Sequence, residues 1–290
     1  MGGDDLDDFV LDGYVSASGD EIEDDVDGSQ VDDAVSGPST QSTTEDQRTE
    51  EKKRKRKAKL KERKAKRRKL IESTESENTK SITESSPHEL GDYLASLQAK
   101  TFKELSPLEL EDMRIPETSI ADTTAWTHPR TLDNLTEFII KVVPNLHTRL
   151  SQKSKKAGSP TLLFVTGAAL RVADVTRILK DKKLRGDKGG EVAKLFAKHF
   201  KLSEHVSYLK RTKVGAAVGT PGRIGKLLCE TDALTISALS HIILDTTYRD
   251  AKQRNLLDIP ETRDEVFKSV LGAPGVLQAI KAGKIQVVLY

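Results

Sequence analysis

The 290-residue chain has one cysteine, Cys229, one tryptophan, Trp126, and only 4% aromatic residues. A single cysteine excludes an intrachain disulfide and fits a reducing compartment, cytosol or nucleus. No apolar run approaches the roughly 18 residues of a membrane-spanning helix. The opening "MGGDDLDDFV" is acidic, whereas a secretory signal starts basic and then turns apolar. A soluble intracellular protein is therefore expected. The six histidines, His88, His128, His147, His199, His205 and His241, form no metal-ligand spacing with Cys229 or a nearby acid, so no metal site is expected. There is no G-x-S-x-G nucleophile elbow, and Cys229, inside an apolar helical stretch, reads as a buried structural thiol. The few aromatic residues show no pattern of an RNA-stacking platform.

Charge is abundant and segregated. Residues 1–51 hold 17 acidic residues against Arg48, a net of −16. Residues 52–69 hold 14 basic residues against Glu62, a net of +13. Blocks of this size repel themselves and read as solvated, partner-binding segments. Residues 1–51 cannot bury enough apolar surface to offset ordering entropy and are expected to be disordered. Ser18, Ser29 and Ser42 each precede an acid by three residues, a spacing that suits an acid-directed kinase. An unmodified solubilising tail fits equally.

The basic segment, 52–70, has two clusters spaced like a bipartite nuclear-import signal: Lys52, Lys53, Arg54, Lys55, Arg56 and Lys57, then Lys64, Lys66, Arg67, Arg68 and Lys69. The same charge binds phosphates by counterion release. A Ser/Thr/Glu linker (71–86) follows. Leu90, Leu94 and Leu97 then share one helical face, and Ser106 with Pro107 opens a second helix, so 87–116 reads as a helical arm packed on the main domain or on a partner.

From 117 to 290 strands and helices alternate. Strands are expected at 161–165, 205–209, 215–219, 241–245 and 284–290. Helices are expected at 134–143, 169–181, 189–200, 221–229, 262–271 and 275–283. This pattern predicts an α/β domain with a mostly parallel sheet covered on both faces and a ligand edge at the C-terminal strand ends. Two turns lie at that edge. In "VGTPGRI", Thr220 suits the helix cap and Pro221 its first position, Gly222 adds no bulk, and Arg223 offers a charged fork. Free N–H groups at such a helix start can hold a phosphate. In "FVTGAALR", Thr166 and Gly167 turn the chain and Arg171 follows in the first helical turn. A phosphate contact and a plain capped helix both fit each turn. "HIILDTTYRD" ends its strand on Asp245, which reads as a cap for the following segment rather than as a metal ligand.

"TPGRI" followed by "HIILDTTYRD" resembles the first RecA-like domain of DEAD-box RNA helicases, a P-loop NTPase fold. The resemblance implies RNA-backbone contacts from Thr220, Pro221, Gly222 and Arg223, and from the turn holding Thr166, Gly167 and Arg171. It also places Asp245 at the first aspartate of the box, with Thr246, Thr247 and Tyr248 where the other three residues would stand. The P-loop pattern is missing: "AWTHPRTLDNLTEFIIKVVP" occupies its place. With the charged extension and "KLFAKH", the chain resembles the Cms family of small-ribosomal-subunit biogenesis factors. That resemblance implies a single RecA-like domain without enzymatic activity, metal or cofactor, which ends at Tyr290 with no second domain. It also implies a role in early pre-ribosomes and rRNA processing in the nucleolus. The expected partners are pre-ribosomal RNA and small-subunit pre-ribosome proteins, with no membrane and no small-molecule substrate. The competing expectations are a divergent ATPase or helicase, and a domain that only docks proteins.

Overall fold

A computed structural model describes residues 82–152, 155–273 and 275–290. The acidic and basic segments, 1–51 and 52–70, lie outside the described residues. Most of the 71–86 linker does too, but its last residues belong to the fold. Ile82–Glu84 form a 3-10 turn with Thr83 buried, and Ser86 caps the first helix.

The helices α1 (Pro87–Thr101) and α2 (Pro107–Asp112) both start on a Ser-Pro step and a reciprocal capping box. Ser86 N–H donates to Glu89 at 2.8 Å and Ser106 N–H to Glu109 at 2.8 Å, so orphan donors at each helix start are satisfied. Leu90, Leu94 and Leu97 all face inward into the same core as the sheet, so α1 packs on the domain. Each buried leucine of this kind contributes about 1.5–3 kcal/mol of transfer free energy. The chain then forms α3 (Leu135–Val142), α4 (Pro144–Leu150), β1 (Leu162–Val165), α5 (Ala169–Leu179), α6 (Lys182–Arg185), β2 (Glu191–Leu195) and α7 (Leu202–Arg211). It continues through β3 (Val214–Gly219), α8 (Pro221–Cys229), β4 (His241–Leu244), α9 (Pro260–Glu265), a π-helical stretch (Val266–Leu271), α10 (Val276–Lys281) and β5 (Gln286–Leu289).

The five strands form one sheet in the order β2-β3-β1-β4-β5, parallel throughout. Beyond β5 a single parallel bridge, Ile120 to Val287, is all that continues the ladder. Strand residues alternate between two cores. Leu163, Val165, Ile242 and Leu244 face α1, α8 and the π-helical stretch, whereas Leu162, Phe164, Ile243 and Val288 face α3, α4 and α5. Both faces are covered, which is why β1, β3 and β4 read as unbroken apolar runs.

Three sequence expectations change. The stretch 189–200, expected as a helix, contains β2 instead, because pairing along β3 satisfies its backbone while Val192, Ala193 and Leu195 are buried. The stretch 205–209, expected as a strand, lies inside α7. His205 and Leu209 stand one turn apart and are buried there, and Glu204 accepts the Lys201 N–H at 2.8 Å at the helix start. Cys229, expected to be buried, is an exposed free thiol at the end of α8. Among the described residues no helix is long and apolar enough to cross a membrane.

Candidate functional site

The C-terminal ends of β1, β3, β4 and β5 lie side by side at Val165, Gly219, Leu244 and Leu289. The residues that follow them are therefore brought together by the sheet register. Thr166 ties two of these ends, its N–H donating to the Gly219 carbonyl at 3.0 Å.

Asp245 is fully buried at this edge. Its Oδ2 accepts the Thr166 hydroxyl at 2.9 Å and Arg171 Nε at 2.8 Å. Its Oδ1 accepts the Thr247 hydroxyl at 2.8 Å and the N–H groups of Thr247 at 3.2 Å and Tyr248 at 3.3 Å. The capping role read from sequence is present, with Arg171 as a further partner. Arg171 also donates to the Thr247 hydroxyl at 2.8 Å and lies 5.9 Å from the Tyr248 ring centroid. Its side chain is only 11% exposed. A cation in the first turn of α5 is disfavoured by the helix dipole, and the buried carboxylate offsets that. Chemically, the guanidinium supplies the positive charge that a buried carboxylate requires.

Before α3, the segment expected in place of a phosphate cradle forms an aromatic and cationic plug. Trp126 meets Phe138 edge-on at 5.6 Å, and Phe138 meets Tyr290 edge-on at 4.8 Å. Arg130 lies 5.1 Å over the Phe138 ring. It donates to the Leu289 carbonyl at 2.9 Å and to Thr123 Oγ1 at 2.9 Å, which closes the end of β5. Burial lowers its pKa to about 10, so it stays charged at neutral pH. The Tyr290 hydroxyl donates to the Thr131 carbonyl at 2.5 Å, and burial raises its pKa.

At the end of β3, Thr220 occupies the cap position of α8 but makes no side-chain capping bond. The Gly222 N–H donates instead to the carboxylate of Glu265, at the end of α9. A Cβ on Gly222 would lie 2.4 Å from Glu265 Oε1, so only glycine admits that carboxylate. Arg223 is 8% exposed and donates through Nη2 to the Phe200 carbonyl at 2.8 Å. Gly167 is half-buried, and Pro221 is buried at the first position of α8.

The structure thus gathers Thr166, Gly167, Arg171, Thr220, Pro221, Gly222 and Arg223 along one edge, but gives both arginines internal partners. Sequence reasoning missed Glu265, Arg130 and Phe200, which reach the edge from other elements. No local motif marks them. The Lys52–Lys57 and Lys64–Lys69 clusters lie outside the described residues. Among the described residues no group of histidines, cysteines and acids could hold a metal ion.

A family profile described as "CMS1: U3-containing 90S pre-ribosomal complex subunit" matches residues 37–290. Protein CMS1 of Chaetomium thermophilum is 42% identical over 173 residues, 60% of this chain and 67% of that protein. Protein cms1 of Schizosaccharomyces pombe is 33% identical over 216 residues, 74% of each chain. Protein CMSS1 of Homo sapiens is 33% identical over 183 residues, 63% of this chain and 61% of that protein. Among solved structures, a DEAD box protein from Methanococcus jannaschii matches with a TM-score of 0.34 and 17% identity over 56% of this chain and 37% of that one. The yeast DEAD-box splicing factor Prp28 matches with a TM-score of 0.36 and 14% identity over 59% of this chain and 34% of that one. Scores at this level transfer no residue roles.

Proposed function

This chain belongs to the CMS1 family, and from that premise we propose that it is a non-enzymatic assembly factor of the small-subunit pre-ribosome, acting in rRNA processing in the nucleolus. Its partners are pre-ribosomal RNA and pre-ribosome proteins. The basic segment supplies nuclear import and salt-sensitive RNA affinity. The sheet edge, with Thr166, Gly167, Arg171, Thr220, Pro221, Gly222 and Arg223, supplies a backbone-contacting surface.

The saturation of Asp245 is the observation that carries the non-enzymatic part. Phosphoryl transfer needs carboxylates free to hold a metal and orient water, and phosphates held in a cradle. Here both carboxylate oxygens are engaged by Arg171, Thr166, Thr247 and Tyr248. The segment before α3 packs rings and a guanidinium at the neighbouring strand end. A turnover assay with magnesium, ATP and single-stranded RNA tests this in the full chain. The expected result is no hydrolysis above background, and hydrolysis abolished by Asp245→Asn would overturn it.

A protein-docking role for the same edge is favoured by one specific observation: Arg171 and Arg223 both have internal partners. Cross-linking the tagged protein in cells and sequencing the attached RNA separates the two. RNA cross-links confined to residues 52–70, with none on the edge, would assign the edge to protein.

A further inference from the structure

The start of α8 already carries an anion. Its first residue, Pro221, has no N–H, and the Thr220 side chain does not cap it. The next donor, the Gly222 N–H, is taken by the Glu265 carboxylate from another element. The space there is sized for that group, since a Cβ on Gly222 would lie within 3 Å of all three carboxylate atoms, Oε1 at 2.4 Å, Cδ at 2.8 Å and Oε2 at 2.9 Å. Two oxygens on a planar centre against a helix N-terminus reproduce the charge and reach of a phosphate edge. Lys226, one turn further along α8, adds a positive field at the same carboxylate. On the same turn of helix Arg223, 8% exposed, has a buried Nη1 with no hydrogen-bond partner, a cationic donor left over beside the occupied position.

We propose that Glu265 is an internal stand-in for phosphate, an anionic latch that holds the start of α8 against an RNA backbone and must swing out before a phosphate can enter. This rests on the RNA-contact reading of Thr220–Arg223 given above. The latch can move without unfolding the domain. Glu265 is exposed, while the packing of this region is made by its successors Val266 and Phe267, both buried. Burial nevertheless pulls its carboxyl pKa upward against the opposing effects of the Gly222 N–H and Lys226, so the seated carboxylate has given up part of its hydration. A phosphate, with more charge and more acceptor oxygens than one carboxylate, competes for the same donors.

The test uses the full chain labelled with 15N-glycine, in salt high enough to suppress binding by the basic segment. The Gly222 amide resonance is followed while inorganic phosphate, and separately a short oligouridylate, is added to the natural chain, to Glu265→Gln and to Glu265→Ala. Glutamine keeps the shape and removes the charge, and alanine removes the occupant. In the natural chain the resonance should respond weakly. In both variants it should respond at concentrations lower on the order of threefold or more, the range of helix-terminus charge effects. Equal response in all three chains, or none in any, overturns the latch. A response to phosphate without one to oligouridylate keeps the latch and sinks the RNA reading of the edge.

Discussion

The residue that organises the edge is Asp245. Its carboxylate is fully buried and its strongest partner, Arg171, is nearly so. A buried pair is a poor source of net stability but costly to break, because removing one partner strands the other charge. Asp245→Asn should therefore lower unfolding stability by roughly 3–5 kcal/mol, and Arg171→Met should act in the same direction. The double variant should lose clearly less than the sum of the two. Denaturant unfolding of the four chains measures this, and simple additivity would show that the two side chains do not act as a pair. Half of this arrangement is legible in the sequence. An aspartate before Thr247 and Tyr248 announces a local cap. The arginine is 74 residues away in sequence, and nothing in "ALRVAD" tells which carboxylate it will meet.

At the scale of elements, strands β1, β3 and β4 were legible because burial on both faces makes them continuous apolar runs. The region from 189 to 211 was not. "GGEVAKLFAKHF" has residues that favour a helix, and only the open side of β3 makes Glu191–Leu195 a strand. "HVSYL" is rich in strand formers, yet it fills the middle of α7, where burial of His205 and Leu209 on one helical face decides. Local propensity is a weak prior that tertiary pairing overrides.

Packing between α8 and the π-helical stretch gives a prediction at this scale. A Cβ on Gly225 would lie 2.4 Å from the Ser269 Cβ, so the two elements touch backbone to side chain. Gly225→Ala should cost roughly 1–3 kcal/mol by overpacking. Ser269→Gly in the same chain should restore part of that loss. Thermal unfolding reads both, and an unchanged midpoint for Gly225→Ala would mean the elements are not in rigid contact.

For the whole molecule, closure of both cores around the sheet leaves two histidines inside, His205 and His241, 1% and 4% exposed. Burial first, then the nearby Arg223 for one and Arg149 for the other, lowers each pKa to about 4. The unfolded chain titrates its histidines near 6.5, so it takes up these protons before the native state does. Stability is then complete above about pH 6.5 and falls as pH drops toward 4, by at most about 1.4 kcal/mol per pH unit for each histidine. Denaturant midpoints between pH 7 and 4.5 should show this slope, reduced in His241→Asn. A flat profile in the natural chain would mean that these rings are not held neutral.

The sequence by itself determined the class of the domain, the parallel sheet, the edge at which ligands could meet it and the lack of a phosphate cradle. These follow from periodicity and from motifs, which are local. Only the tertiary structure decided what fills that edge: Arg171 against Asp245, Arg130 with the Trp126–Phe138–Tyr290 rings, and Glu265 at the start of α8. Each partner comes from a distant element, and a side chain's choice among distant partners is set by sheet register and packing, which no short stretch of sequence encodes.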